Sequence, residues 1–197
     1  NFILRKVKIC ILICGSGKDG IPVATHVPVL LEERDGRIFL GGHFMRKQDH
    51  TRVFSENPNA LVIFTAAHAY VSASWYADPK KVSTWNYQAV HASGSLRFTT
   101  DDELYAMLVK LTRHFEGSDD SPALVPKMDE QYLQDNMKAI IGFEIEVTNL
   151  AHVFKLSQNR QKSDYDRVIA ALENGEEESR AVALEMQKNR DQVFGRE

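Results

Sequence analysis

The sequence predicts an α+β fold, mainly β, in which short strands form a barrel-like body and helices flank it. Three observations carry this expectation. Short apolar or alternating runs, punctuated by Gly and Pro turns, fill the first two-thirds of the 197 residues. Helix-period patterns dominate the remainder. Alternating strand–helix units are missing, which argues against a doubly wound parallel sheet.

Taken in order, the apolar run at 7–14 reads as a buried strand ending in a Gly-Lys-Asp-Gly turn. Residues 21–31 read as one strand. Pro22 and Pro28 cannot donate to a ladder, so that strand belongs at an edge or carries a bulge. Asp35-Gly36 marks a hairpin turn into a strand at 37–43. The continuous run at 60–67 reads as a strand buried on both faces. Strands follow at 68–75 and 85–98, with Gly94 as an expected bulge. Thr100 and Glu103 form a capping box for a helix that stops at Gly117. A short helix is expected at 129–138, then an alternating strand at 141–147 that resumes at 153–156 after a break. Two helices, 163–174 and 177–188, are separated by Asn174-Gly175, which reads as a C-cap. The expected organisation is one domain over 1–160, with C-terminal helices over 161–197 packed on it or extending from it.

Composition narrows the function classes. A hydrophobic fraction of 43% with 26% charged residues is ordinary for a globular domain, and the formal net charge is −3. That balance does not fit a chain whose whole surface grips nucleic acid. No apolar run approaches the ~20 residues that span a bilayer. The two cysteines, Cys10 and Cys14, lie four residues apart on the expected strand. Their separation of about 13 Å exceeds the reach of a disulfide, about 7 Å between Cα atoms. Free thiols in a reducing cytoplasm are therefore expected. Nucleophile elbow, HExxH and phosphate-loop patterns do not occur; GSGKDG ends in Asp-Gly where a phosphate loop needs Lys-Ser/Thr.

The chemistry-bearing residues fall in four clusters. His26 sits inside an apolar strand, where a histidine serves equally well as a satisfied core group. Gly41-Gly42-His43 leads into Arg46-Lys47, a basic pair that suits either solvent or a phosphate. The stretch 66–91 holds both tryptophans (Trp75, Trp85) with Tyr70, Tyr76, Tyr87, His68 and His91. Such rings serve either hairpin packing or a planar heterocycle. Finally, 154–160 (FKLSQNR) is rich in hydrogen-bonding side chains.

HAYVSASWY at 68–76, VSTWNYQAVH at 82–91, the Gly-His followed by a basic pair at 42–47, GFEIE at 142–146 and FKLSQN at 154–159 occur in an order that resembles the PaiB-type, FMN-binding negative transcriptional regulators. These belong to the FMN-binding split-barrel superfamily, and the likeness spans roughly residues 19–172. The resemblance implies an FMN-binding split β-barrel with flanking helices and a C-terminal helical segment. It implies FMN as cofactor, bound at the interface of a bacterial, cytoplasmic homodimer. The implied cofactor-binding residues are Thr25, His26, His43, Arg46, Lys47, His68, Tyr70, Ser72, Trp75, Trp85, Asn86, Lys155, Ser157, Gln158 and Asn159. No catalytic residue and no metal ligand is assigned. DNA as a partner follows from the family label alone: the most basic helical stretch, 159–167, also contains Asp164 and Asp166. Two other readings stand beside it, an FMN-dependent oxidoreductase with only indirect regulation and a haem-handling split-barrel protein.

Overall fold

A computed structural model describes residues 11–17, 19–78 and 80–195 of the chain. These divide into two compact units, the described residues up to 64 with 91–151 and the described residues of 65–90 with those from 152 to 195. The predicted start of the first strand, with Cys10, lies outside the described residues.

Antiparallel strands build the first unit, and two of them, at 84–98 and 140–155, also supply residues to the second. β1 (Ile11–Ser16), β2 (Pro22–Val27), β3 (Leu30–Arg34), β4 (Arg37–Met45), β5 (Asn59–Thr65), β7 (Thr84–Phe98) and β8 (Ile140–Lys155) follow the order β2-β1-β5-β7-β8-β4-β3. The single strand expected at 21–31 is two. Pro28 lacks an N–H, and the chain breaks there, so β2 closes one edge of the order and β3 the other. Asp35 and Gly36, both at positive φ (52° and 72°), make the tight turn between β3 and β4. β5 alternates where burial on both faces was expected: Ala60, Val62 and Phe64 are buried, Asn59 and Thr65 exposed. Gly94 lies within a continuous β7, where a Cβ would stand 2.1 Å from the Glu146 carbonyl oxygen. Close approach of two backbones accounts for that glycine.

Phe44 stacks on Phe143 (centroids 4.2 Å apart) and on Phe54 (5.8 Å) in the core of this unit. Phe54 belongs to α1 (Asp49–Glu56), a helix with no side-chain cap and hence no start signal in the sequence. α2 (Asp101–Glu116) opens on the predicted capping box and ends at Gly117 with φ 64°. α3 (Glu130–Met137) starts from Asp129, whose side chain accepts the Tyr132 N–H. Leu104, Val125, Leu133 and Met137 pack together beneath these helices.

The second unit is a small sheet piece and a helical pair. β6 (Ala69–Val71) pairs with β7 and is shorter than the strand expected at 68–75. The Ser72 hydroxyl accepts the Ser74 N–H and turns the chain into a 3-10 helix at Ala73–Trp75. β8 is continuous, without the expected break. α4 (Lys162–Glu173) and α5 (Glu177–Phe194) enclose Tyr165, Val168, Leu172, Val182 and Met186, all nearly inaccessible. α5 runs past the predicted end at 188, and Gly175 does not adopt the left-handed conformation expected of a C-cap. Among the described residues no helix is long and apolar enough to cross a membrane.

Candidate functional site

In the first unit, alternation on β2 sends Thr25 and His26 to opposite faces, with Thr25 half-buried and His26 exposed. His43 lies on β4 opposite Gly142; its Nδ1 is buried without a hydrogen-bond partner, and burial lowers its pKa. The neutral ring is therefore the favoured form there.

The basic pair that follows β4 divides into two roles. The Arg46 guanidinium donates from Nη2 to the Ile140 carbonyl (2.7 Å) and from Nε to the Lys138 carbonyl (3.2 Å), and Asp101 lies at 3.9 Å. Those bonds tie the β4 end to the passage from α3 into β8. Lys47 is exposed, and among the described residues its side chain has no hydrogen bond or ion pair. Gln48 gives α1 no side-chain cap. An anion at this corner meets one fully available charge, Lys47, and one that already serves two carbonyls.

In the second unit the aromatic run separates into core and surface. Trp75 is partly buried and packs on the core beside Tyr165 and Val168. Trp85 points outward from β7 and is 51% exposed; Tyr70, directly opposite on β6, is 49% exposed. Their rings meet edge to face with centroids 5.9 Å apart, and the His68 ring lies 5.8 Å from Trp85. His68 Nδ1 stands 3.1 Å from a Glu178 carboxylate oxygen. Tyr87, two residues from Trp85 and also exposed, extends the same strand face. The period-2 spacing of Trp85 and Tyr87 is what puts both rings on that face.

Asn86 and Ser157 do not face solvent. Ser157 donates its hydroxyl to Asn86 Oδ1 (3.1 Å), and Asn86 Nδ2 donates to Met186 Sδ (3.3 Å), all buried. Ser157 holds φ at 63°, a left-handed conformation rare for a non-glycine residue. The Gln158 side chain accepts the Leu156 N–H (2.7 Å) and donates to the Phe154 carbonyl. These bonds make 154–160 a built turn. What it presents outward is Lys155, bonded to Thr84 Oγ1, together with exposed Asn159. Ser72 is half-buried and shares a hydrogen bond with Ser74 (2.8 Å). The buried Tyr76 hydroxyl has no partner, and the Arg160 guanidinium lies 4.6 Å from the Tyr76 ring centroid.

The predicted residues thus sort by environment. His68, Tyr70 and Trp85 form one exposed ring cluster, while Asn86, Ser157 and Gln158 are engaged in holding the fold. Among the described residues no group of three His, Cys, Asp or Glu is placed to hold a metal ion.

The family described as "Putative FMN-binding domain" matches residues 2–149. The chain is 36% identical over 173 residues to the protease synthase and sporulation protein PAI 2 of Bacillus subtilis (strain 168), covering 88% of this chain and 83% of that protein. Its fold is similar to that of the flavocytochrome Anf3 from Azotobacter vinelandii, with TM-score 0.54, 14% identity and coverage of 77% and 65% of the two chains. It is also similar to the FAD and heme binding protein from Mycobacterium smegmatis, with TM-score 0.53, 20% identity and coverage of 75% and 66%. A match across three-quarters of the chain, together with a relative above one-third identity over nearly all of it, makes this chain a member of the PaiB-type FMN-binding family, a split β-barrel protein whose cofactor is FMN.

Proposed function

We propose that the protein is a flavin-dependent regulator that binds FMN at the interface of a homodimer. The observation that carries the dimer is the second half of β8. Every residue from Thr148 to Lys155 is exposed, and Leu150, Val153 and Phe154 leave 40%, 46% and 38% of their surface in solvent. A strand this open, carrying apolar side chains, is what a partner subunit covers.

The residues fit what FMN requires. The phosphate role falls to Lys47, with Arg46 as a second charge fixed in place by its carbonyl bonds. The role of a flat wall for the ring system falls to Trp85 and Tyr70, whose outward rings have no cover within their own unit. Lys155 and Asn159, on the turn that Ser157 and Gln158 build, are the polar groups for a ring edge. Bound flavin supplies reversible electron and hydride chemistry, and this chain's residues bind and orient it.

Regulation on this reading acts through the flavin or through a partner. The net charge is −3, and the basic stretch at 159–167 carries Asp164 and Asp166 among its basic residues, which leaves little to grip phosphates.

The test is a titration of flavin-free protein with FMN and riboflavin, with light scattering alongside. Lys47→Ala is expected to weaken FMN at least about tenfold, with riboflavin little changed. A mass of twice the 22.3 kDa chain is expected. Equal losses for the two ligands move the phosphate elsewhere, and a monomer at micromolar concentration refutes the shared site.

A further inference from the structure

The first unit contains a cavity that none of the predicted flavin residues lines. It lies between α2 and the β3–β4–β8 sheet and has a volume of about 170 Å³. Two small residues leave it open. Gly41 on β4 and Ala106 on α2 both line it, and a Cβ at Gly41 would meet nothing closer than 3.8 Å. The floor is apolar: Leu30, Phe39, Met107 and Phe143.

The rim is charged and balanced. Arg97 forms two parallel bonds to Glu103 (2.9 and 3.0 Å) and also bonds Glu144 (2.9 Å). Arg34 bonds the other oxygen of Glu144 and lies 3.8 Å over the Phe39 ring. Lys110 bonds Glu32 at 2.6 Å. The hydrogen bonds from Arg97 hold the Glu103 carboxyl down at about 2, so this part of the rim stays ionised throughout the physiological range. Three cations thus alternate with three carboxylates around an uncovered apolar floor.

That pattern selects by exclusion. A simple anion entering the cavity approaches three carboxylates, and a simple cation approaches three basic groups; each meets repulsion comparable to its attraction. A ligand that carries both charged groups on one carbon pairs with both sets, and a short apolar tail then covers the floor. We propose that this cavity binds a small zwitterion with an aliphatic tail, an α-amino acid. The carboxylate is received by Arg34, Arg97 or Lys110, and the ammonium by Glu32.

The test follows the Met107 methyl resonance in full-length, FMN-loaded protein labelled at methionine methyls. The probes are L-leucine and its two single-charge analogues, 4-methylpentanoate and isopentylamine. L-leucine is expected to give a saturable shift with Kd of about 1 mM or below, and each analogue to bind at least about tenfold more weakly. Ala106→Phe, a change at an exposed helix position, is expected to fill the cavity and abolish the response. Glu32→Gln, which leaves the apolar floor intact, is expected to weaken L-leucine at least about fivefold while 4-methylpentanoate gains. The proposal is overturned by a Met107 resonance that does not move, by equal binding of the three probes, or by L-leucine binding that survives Ala106→Phe.

Discussion

Ser157 offers the sharpest quantitative test of how the turn at 154–160 is built. Its hydroxyl donates to the buried Asn86 Oδ1, and its backbone sits at φ 63°. Ser157→Ala removes the donor and leaves a buried acceptor unpaired, at a cost of about 1–3 kcal/mol. It keeps the left-handed backbone, which penalises an L residue by roughly 1–2 kcal/mol. Ser157→Gly loses the same hydrogen bond but relieves that penalty, offset by about 0.5–1 kcal/mol of extra chain entropy in the unfolded state. The glycine variant is therefore expected to be the more stable of the two by about 0.5–1 kcal/mol, although it deletes more of the side chain. Urea unfolding followed by tryptophan fluorescence reads this directly, because Trp75 and Trp85 both lie in the unit that contains Ser157. An alanine variant as stable as the glycine variant, or more so, refutes the claim that the fold imposes the left-handed backbone.

Gly94→Ala is expected to destabilise by at least about 2 kcal/mol, since its Cβ would sit 2.1 Å from the Glu146 carbonyl oxygen and only backbone movement relieves the clash; a thermal melt within a degree of the parent would contradict it. Burial raises the Tyr165 phenol from 10.0 to about 12, so the fold favours the neutral form. Its contribution is complete below pH 10, declines as pH rises through about 12, and appears as a falling urea midpoint over that window. Tyr165→Phe should flatten that slope while losing the 2.8 Å hydrogen bond to the Met186 carbonyl. On the acid side, the Arg190 bonds hold the Asp166 carboxyl below its ordinary range. Its contribution is present above the unfolded value and lost as pH falls through the folded one, so Arg190→Gln should shift acid unfolding to higher pH.

Features written in neighbouring residues were the legible ones. Asp35-Gly36 forces its turn, Thr100 with Glu103 opens a helix and Gly117 closes it, because each device completes itself within four residues. The prolines of 22–28 marked an edge, since a missing N–H is a local fact. α1 was not legible: its cap makes no side-chain bond, and it is held by Val53 and Phe54 in the core. The break in β8 was predicted where its residues turn polar, but pairing and not composition sets the length of that strand.

The candidate site divides along the same line. Its phrases were visible as wording, yet the role of each residue depends on partners far away in sequence. Arg46 finds its carbonyls at 138 and 140, and Asn86 finds Ser157 and Met186. Both residues read as ligand contacts when only their type is known, because the donors that recognise a ligand are the same donors that satisfy a carbonyl. The two tryptophans make the point most clearly: ten residues apart and chemically identical, one packs on a core and the other stands half in solvent. What separates them is the 3-10 turn after Ser72, which rotates Trp75 inward, against the regular pleat of β7, which leaves Trp85 facing out. A ring that the fold leaves uncovered is the better candidate for a planar cofactor. On that reasoning Trp85→Ala should weaken flavin binding with little loss of stability, and Trp75→Ala should lower stability first.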